Sequence, residues 1–548
     1  MTTRTPPRAP ATGTGRPPAP AHPATAVRRA VVRQVRRGTV VVAVLSGGLT
    51  AFVAHEYAST VSGAIGVGSL TALAENPAIR TLFGPPLALD DPGGFTVWRT
   101  GTVVAVLAGV WAALAGTRVT RGEEESGRAD LLLAGRVRQV TLVRTALDVL
   151  LGAGAVVGVA VTAGVWAAGT AVPGAVLFGA LVGGTAMAGG ALGVLTGQLL
   201  TERRAASGLA VAVLLAGLLA RMVGDGVPAL SWLQWLSPFG LLGRVAPYAH
   251  DRWAPLLVLG VLVAAPAVLA AVLAGARDVG TGRWRGRDRA RPPSRLLRSL
   301  PGLAVQRTRR PAATWSLGVA AYFLLIGLLA TAMLDFLRDN PVFAQMAAAA
   351  GFARLASVEG YAASLFGLLA VPVGAFAAAR VAALAADETA SRLTLLYSRP
   401  VGRVRWAGWE AAVAAAGAVL VAAAAGVATW AGASWVGAGL GPGAALGGAL
   451  SVLPVALLCL GAALLALGWA PSAVLPVGVL PAAGGYLLLV LADSFGWPAW
   501  VRGLSPFAHL AAVPAEPLDV AGAVGMVVVA LALAAAGLAG YARRDLRG

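Results

Sequence analysis

Lysine is missing: all 43 basic residues of this 548-residue chain are arginine. A P-loop needs a lysine to reach the β- and γ-phosphates, and Schiff-base catalysis needs a lysine amine. Both are excluded, so if ATP drives this chain, another chain hydrolyses it. Cysteine is nearly missing as well. The single Cys459 lies in an apolar run and can build neither a disulfide framework nor a metal site of two or four thiolates. Histidine occurs only at positions 22, 55, 250 and 509, with no H-x-x-x-H spacing, which argues against a zinc site. No G-x-S-x-G is present, and the G-x-G runs near residues 152–158 and 437–443 lack the strand and acidic partner of a dinucleotide fold. Charge itself is scarce. Only 12% of residues are charged, against about 25% in a soluble domain, which excludes an ordinary soluble protein.

What the chain has instead is apolar sequence, 57% of it. Apolar runs fall at about 39–55, 97–116, 142–168, 173–199, 206–223 and 255–275, then at about 315–334, 361–383, 406–431, 444–469, 473–492 and 518–541. Each is close to the ~20 residues that cross a bilayer as a helix. The predicted fold is an all-α polytopic membrane protein of two tandem six-helix halves, about 12 spans in total, in the plasma (inner) membrane. With both termini cytoplasmic, 35 arginines fall on the inner side and eight on the outer side, the positive-inside pattern. Orientation and attraction to anionic lipid headgroups account for the net charge of +19, so nucleic acid is not needed as a partner.

Composition also divides the chain. Residues 1–23 are rich in Pro, Thr and Ala and read as a disordered cytoplasmic tail. In the first six-span half, 24–275, Val27, Val31 and Val35 recur every four residues among Arg28, Arg29, Arg33, Arg36 and Arg37. That spacing predicts an amphipathic helix lying on the inner membrane surface ahead of the first span. The basic segment 276–310 includes the linker GTGRWRGRDRARPPSR (280–295), and Leu296, Leu297, Leu300 and Leu303 predict a second such helix. The second half is 311–548.

The halves repeat in sequence. EEESGRADLL (123–132) aligns without gaps to DETASRLTLL (387–396) at an offset of 264, and Asn76-Pro77 and Asn340-Pro341 keep that offset. WLQWLSPF (232–239) matches WVRGLSPF (500–507) at an offset of 268. Six spans per half make the two parallel in topology, and such duplicated bundles, related by a pseudo-two-fold axis, suit a substrate path. The cytoplasmic loops after spans 2 and 8 each place an acidic cluster, an arginine, a Leu-rich turn and then basic residues. Glu124 with Arg128, and Glu388 with Arg392, have the i,i+4 spacing of helical ion pairs. One charged loop is ordinary; the same loop at the same place in both halves points to function.

An acidic pair, a small residue, Arg128, Asp130 and Leu131–Leu132 ahead of a basic turn resemble the permeases of ABC-2-type exporters. More narrowly, the chain is similar to the actinobacterial exporter of polyketide antibiotics (tetronasin-type) group, over nearly its whole length after about residue 24. The second half departs from the pattern at Thr389, Ser391 and Thr394. The resemblance implies a permease for a hydrophobic or amphiphilic compound that docks a separately encoded ABC ATPase, two copies per permease, with ATP and magnesium on the partner and no cofactor on this chain. Carried over, Glu123, Glu124, Arg128 and Asp130 would engage one ATPase protomer, and Asp387, Glu388 and Arg392 the other. The competing expectation is a proton-driven secondary multidrug transporter, also of two six-span halves, against which the scarcity of mid-membrane carboxylates weighs.

Other residues have local explanations. Gly189, Gly193 and Gly197 form a zipper that lets helices approach. Asp148 and Glu410 lie near Arg144 and Arg405, and Arg221 and Asp225 have i,i+4 spacing; pairing and snorkelling explain them as well as a proton relay does. The tryptophans gather at span ends as an aromatic belt. The outer segments after spans 5 and 11 are too short and interrupted to cross, and read as re-entrant or interfacial helices. Trp232, Phe239, Trp500 and Phe507 are their candidate outer-gate residues.

Overall fold

The computed structural model describes residues 23–61, 80–81, 83–135, 137–278, 280–282, 295–339, 341, 357–390, 392–494 and 497–544. The tail 1–22, most of the linker (283–294) and the Asn-Pro pairs, apart from Pro341, lie outside the described residues. Among those described, 12 helices are long and apolar enough to cross a membrane, and no strand occurs. Spans 1 to 6 are Thr25–Tyr57, Pro92–Glu125, Gln139–Ala167, Val172–Leu199, Arg203–Gly226 and Pro255–Gly275. Spans 7 to 12 are Leu300–Asp339, Val358–Thr389, Arg403–Trp435, Pro442–Trp469, Pro471–Leu489 and Val520–Arg543. The chain divides into two compact units, Met1–Thr71 with Phe83–Arg287, and Ala72–Leu82 with Asp288–Gly548.

Helix starts follow from local chemistry. Asp91 caps span 2 by accepting from the amides of Gly93 (2.7 Å) and Gly94 (3.1 Å), with Pro92 at the first helical position. Ser357 caps span 8 (Gly360 amide, 3.0 Å) and Asp519 caps span 12 (Gly522 amide, 3.0 Å). Such caps satisfy amide donors that a helix leaves open at its first turn.

Within unit 1, span 4 is the central helix, and small residues on two of its faces let neighbours come close. A methyl group built on Gly189 or Gly193 would meet the carbonyl oxygens of Gly109 or Ala113 on span 2 at 2.2 and 2.1 Å. On Gly179 or Gly183 it would meet those of Gly158 or Gly154 on span 3 at 2.5 and 2.8 Å. The glycine zipper read from the sequence is therefore the face that span 4 lays against span 2. In unit 2 the corresponding span 10 approaches span 12 in the same manner, through Gly461 and Gly468 against Ala530 and Gly537.

Two sequence expectations are corrected here. The Val27–Val31–Val35 face does not lie on lipid as a separate helix. Pro23–Val61 is one unbroken helix, and the three valines pack into a buried cluster with Val119, Val143 and Leu147 of spans 2 and 3. Gly38 sits beneath the indole of Trp111, and the helix runs on through it. The second stretch is divided: Leu296 and Leu297 stay exposed in a short 3-10 turn, Ser299 caps, and Leu300 and Leu303 open the helix Leu300–Leu328 of span 7 and pack inward. In both halves an apolar stripe reads the same whether its partner is lipid or protein.

Candidate functional site

The loop at the inner end of span 2 is built from the span's last short helix, Arg121–Glu125, and the helix Arg128–Leu133, separated at Gly127, whose φ of +72° lies in the left-handed region that favours glycine. That break moves Arg128 off the i,i+4 register with Glu124. Arg128 instead pairs with Glu123, its Nη2 and Nε donating at 2.7 and 2.9 Å. This hydrogen bond, with the carboxylate charge behind it, raises the Arg128 guanidinium above its ordinary pKa. Glu123 also accepts from the Gln34 amide at 3.2 Å, which ties the loop to the N-terminal helix.

Glu124 turns inward, its side chain 8% exposed. It accepts from Arg121 Nη1 at 2.8 Å and from both terminal nitrogens of Arg277, just beyond span 6, with Nη1 at 3.1 Å. Arg277 in turn donates from Nε to Gln198 Oε1 at the end of span 4 (2.8 Å), and Arg121 Nε donates to the Gly197 carbonyl (3.0 Å). Glu125 accepts from the Arg203 amide at the start of span 5. Each of the three glutamates therefore holds part of its own half: the N-terminal helix, span 6 and span 5. The outward surface of the loop is Arg128, Asp130, Leu131 and Leu132, with Leu131 78% exposed.

The loop after span 8 repeats this arrangement with different neighbours. The span ends at Thr389, so Arg392 again lies beyond the helix and reaches Asp387 (3.4 Å) rather than Glu388. The expected Glu124–Arg128 and Glu388–Arg392 pairs are thus both replaced by pairs one residue longer, for the same reason: the helix stops before the arginine. Glu388 accepts from Arg544, beyond span 12, at 2.7 and 2.8 Å. The Arg544 guanidinium lies over the Tyr541 ring (5.2 Å), and the Tyr541 and Tyr397 hydroxyls bond at 2.9 Å. Burial raises the Tyr397 pKa, the Tyr541 bond opposing it. Arg277 and Arg544 were missed in the sequence. A signal was present: Leu-Ala-Gly followed within a turn by Arg-Asp closes both halves, at 273–278 and 538–545.

Unit 2 adds a charge network. Arg307 bridges Asp387 and Glu410, the latter through Nε at 2.6 Å, and Arg380 reaches Glu410 at 3.3 Å. Glu410 therefore pairs across helices and not with Arg405. Asp148, the carboxylate near the inner end of span 3, is exposed. Arg221 and Asp225 do pair, at 2.5 Å and deeply buried, and Gln234 of the outer segment donates to Asp225 at 2.7 Å.

The outer segments form short helical turns. Pro228–Leu236 and Leu241–Val245 follow span 5; Ala499–Gly503 and Pro506–His509 follow span 11. Phe239 is buried against Ala105, Ala210 and Leu214, and Phe507 meets the Tyr486 ring edge-on at 5.5 Å. Trp232 and Trp500 are exposed. The phenylalanines thus fasten these segments to the bundle, and the tryptophans have the exposed placement of interfacial anchors. Tyr248 pins the end of the first segment by a 2.9 Å bond to Thr170, and burial pushes its hydroxyl up to about 12.

The family model described as "Multidrug efflux system permease Rv1217c, C-terminal domain" matches residues 46–275 and 297–542 of the chain. The multidrug efflux system permease protein Rv1217c of Mycobacterium tuberculosis (strain ATCC 25618 / H37Rv) is 30% identical over 488 residues, spanning 87% of this chain and 86% of that protein. Both cytoplasmic loops lie inside the matched segments.

Proposed function

The chain belongs to the Rv1217c-type family of multidrug efflux permeases and is a multi-pass plasma-membrane protein. On that premise we propose that it is the membrane-spanning subunit of an ATP-driven exporter of the ABC-2 type. It moves hydrophobic or amphiphilic compounds, antibiotics among them, in the manner of the polyketide-antibiotic exporter group. A separately encoded ATPase, in two copies, binds ATP and magnesium and docks at the loops after spans 2 and 8. The absence of lysine supports the separate ATPase, because this chain has no P-loop of its own.

The observation that carries the reading is the surface of the first loop. Its three glutamates are engaged within their own half, yet Leu131 stands almost fully exposed beside an exposed Arg128 and Asp130. Apolar side chains rimmed by charge are the composition of a protein-docking patch, where the leucines supply burial and the charges supply register. The second loop is narrower in what it offers: Leu393, at the position of Ala129, is buried, and Tyr397, at the position of Leu133, is hydrogen-bonded to Tyr541. The partner's grip is therefore stronger on the first loop.

Replacing Leu131 and Leu132 together by glutamate should lower the ATPase recovered with the purified permease at least tenfold, while the permease itself stays monodisperse. The equivalent change at Leu396 should cost less. Undiminished recovery with the Leu131→Glu, Leu132→Glu protein would show that the partner docks elsewhere.

A further inference from the structure

The two halves share one feature that docking does not require. In each, the second carboxylate of the loop reaches about 150 residues ahead to an arginine just beyond the last span of the same half: Glu124 to Arg277, and Glu388 to Arg544. These carboxylate side chains are each 8% exposed, and the arginines are 6% and 16% exposed. In sequence the glutamates are 264 residues apart and the arginines 267, so both partners recur together. Their surroundings do not recur. Around Arg277 stand Gln198, Thr281 and Arg121; around Arg544 stand Tyr541, the Arg403 side chain and, through Tyr541, Tyr397. The pair is kept while its packing has been rebuilt.

We propose that Glu124–Arg277 and Glu388–Arg544 are transmission links, which make each cytoplasmic loop move as one body with the last span of its own half. This deepens the exporter reading and rests on it: the loop's outer face receives the ATPase, and the inward carboxylate passes the displacement to span 6 or span 12. A partly buried, charge-assisted contact suits that role, because its geometry is directional and its loss leaves a charge without its partner. The four residues are positioning residues: Glu124 and Glu388, which the family resemblance would set against the ATPase, are turned inward onto Arg277 and Arg544 and away from the docking face.

The test uses the full-length permease reconstituted in nanodiscs with a P-loop ATPase co-expressed from the same source, with rhodamine 6G as transport probe. Three readouts are taken: ATPase bound per permease, ATPase activity with and without dye, and dye export. Glu124→Gln and Glu388→Gln should leave the bound ATPase within twofold of wild type but reduce dye-stimulated activity about tenfold. The exchange Glu124→Arg with Arg277→Glu should restore a large part of the stimulation. A second measurement does not depend on how those variants fold. In a Cys459→Ala background, cysteines at 124 and 277 joined by a short bis-thiosulfonate should leave export intact, because the joined parts already move together.

Retained stimulation in the single variants, failure of the exchange to restore it, or loss of export on cross-linking would each overturn the links. If the wild-type permease binds no ATPase at all, the exporter reading fails first and the links fail with it. ATPase binding thus separates the two failures.

Discussion

Valine at position 193 is expected to stop the first half from assembling. A β-carbon there would lie 2.1 Å from the Ala113 carbonyl oxygen, 2.8 Å from its carbonyl carbon and 2.9 Å from its Cα, all backbone atoms of span 2. Backbone cannot turn aside as a flexible side chain can, so spans 2 and 4 must separate along their length. Their association rests on close packing, since lipid tails offer no hydrophobic drive to pair helices. Overpacking of this kind costs about 1–3 kcal/mol at a single site in a core that can relax. Here Gly189 lies one turn away against Gly109, and Gly116 of span 2 meets span 4 at Gly190 and Gly193, so the loss spreads along the seam. Size-exclusion chromatography of detergent extracts should show Gly193→Val mostly aggregated. Gly152→Val, where nothing lies within 4 Å of the new carbon, should run like wild type. Equal behaviour of the two would show that the seam between spans 2 and 4 is looser than described.

The second large effect is expected at Arg307. Its guanidinium joins span 7 to the carboxylates of Asp387 and Glu410, 5% and 4% exposed, and lies over the ring of the fully buried Trp406. Removing one partner of a buried ion pair costs about 3–5 kcal/mol, because the charge left behind keeps its desolvation penalty. Arg307→Ala leaves two such carboxylates, so the folded yield should fall steeply and the melting temperature of any remainder should drop by many degrees. Combining Arg307→Met with Asp387→Asn and Glu410→Gln removes the stranded charges and should recover part of the loss, in keeping with the near-neutral replacement of whole buried networks. Arg307→Ala with unchanged melting would mean that Arg380 and Arg392 alone satisfy both acids.

The two sites also show where the sequence was readable. All 12 spans were legible, because lipid forces a long apolar helix at each crossing and the arginines report the side. The zipper was legible because glycine at every fourth position has one packing use. The loop pairings were not. An i,i+4 register holds only while the helix continues, and it stops at Ser126–Gly127 in one half and at Thr389 in the other. The arginine beyond each final span was invisible to local spacing, since its partner lies about 150 residues away. The repeat could have shown it, because both members recur. Local spacing offers Glu410 the nearby Arg405 as a basic partner, beside a proton-relay alternative, whereas Arg307 and Arg380 approach it from other helices. That network has no counterpart in the first half, where Gly116 and Ala146 stand at the offset of Arg380 and Glu410. The N-terminal valines show the same limit: a stripe reveals that a face is buried, not what buries it.

The proposed exporter takes its energy from a separate ATPase acting through its cytoplasmic loops. Inside-out vesicles carrying the permease and a co-expressed P-loop ATPase from the same source test this most directly, with rhodamine 6G uptake as the measure of export. Uptake should require ATP, survive a protonophore, and stop when the P-loop lysine of the ATPase is replaced by alanine. Uptake driven by an imposed proton gradient without ATP, and abolished by the protonophore, would contradict the account.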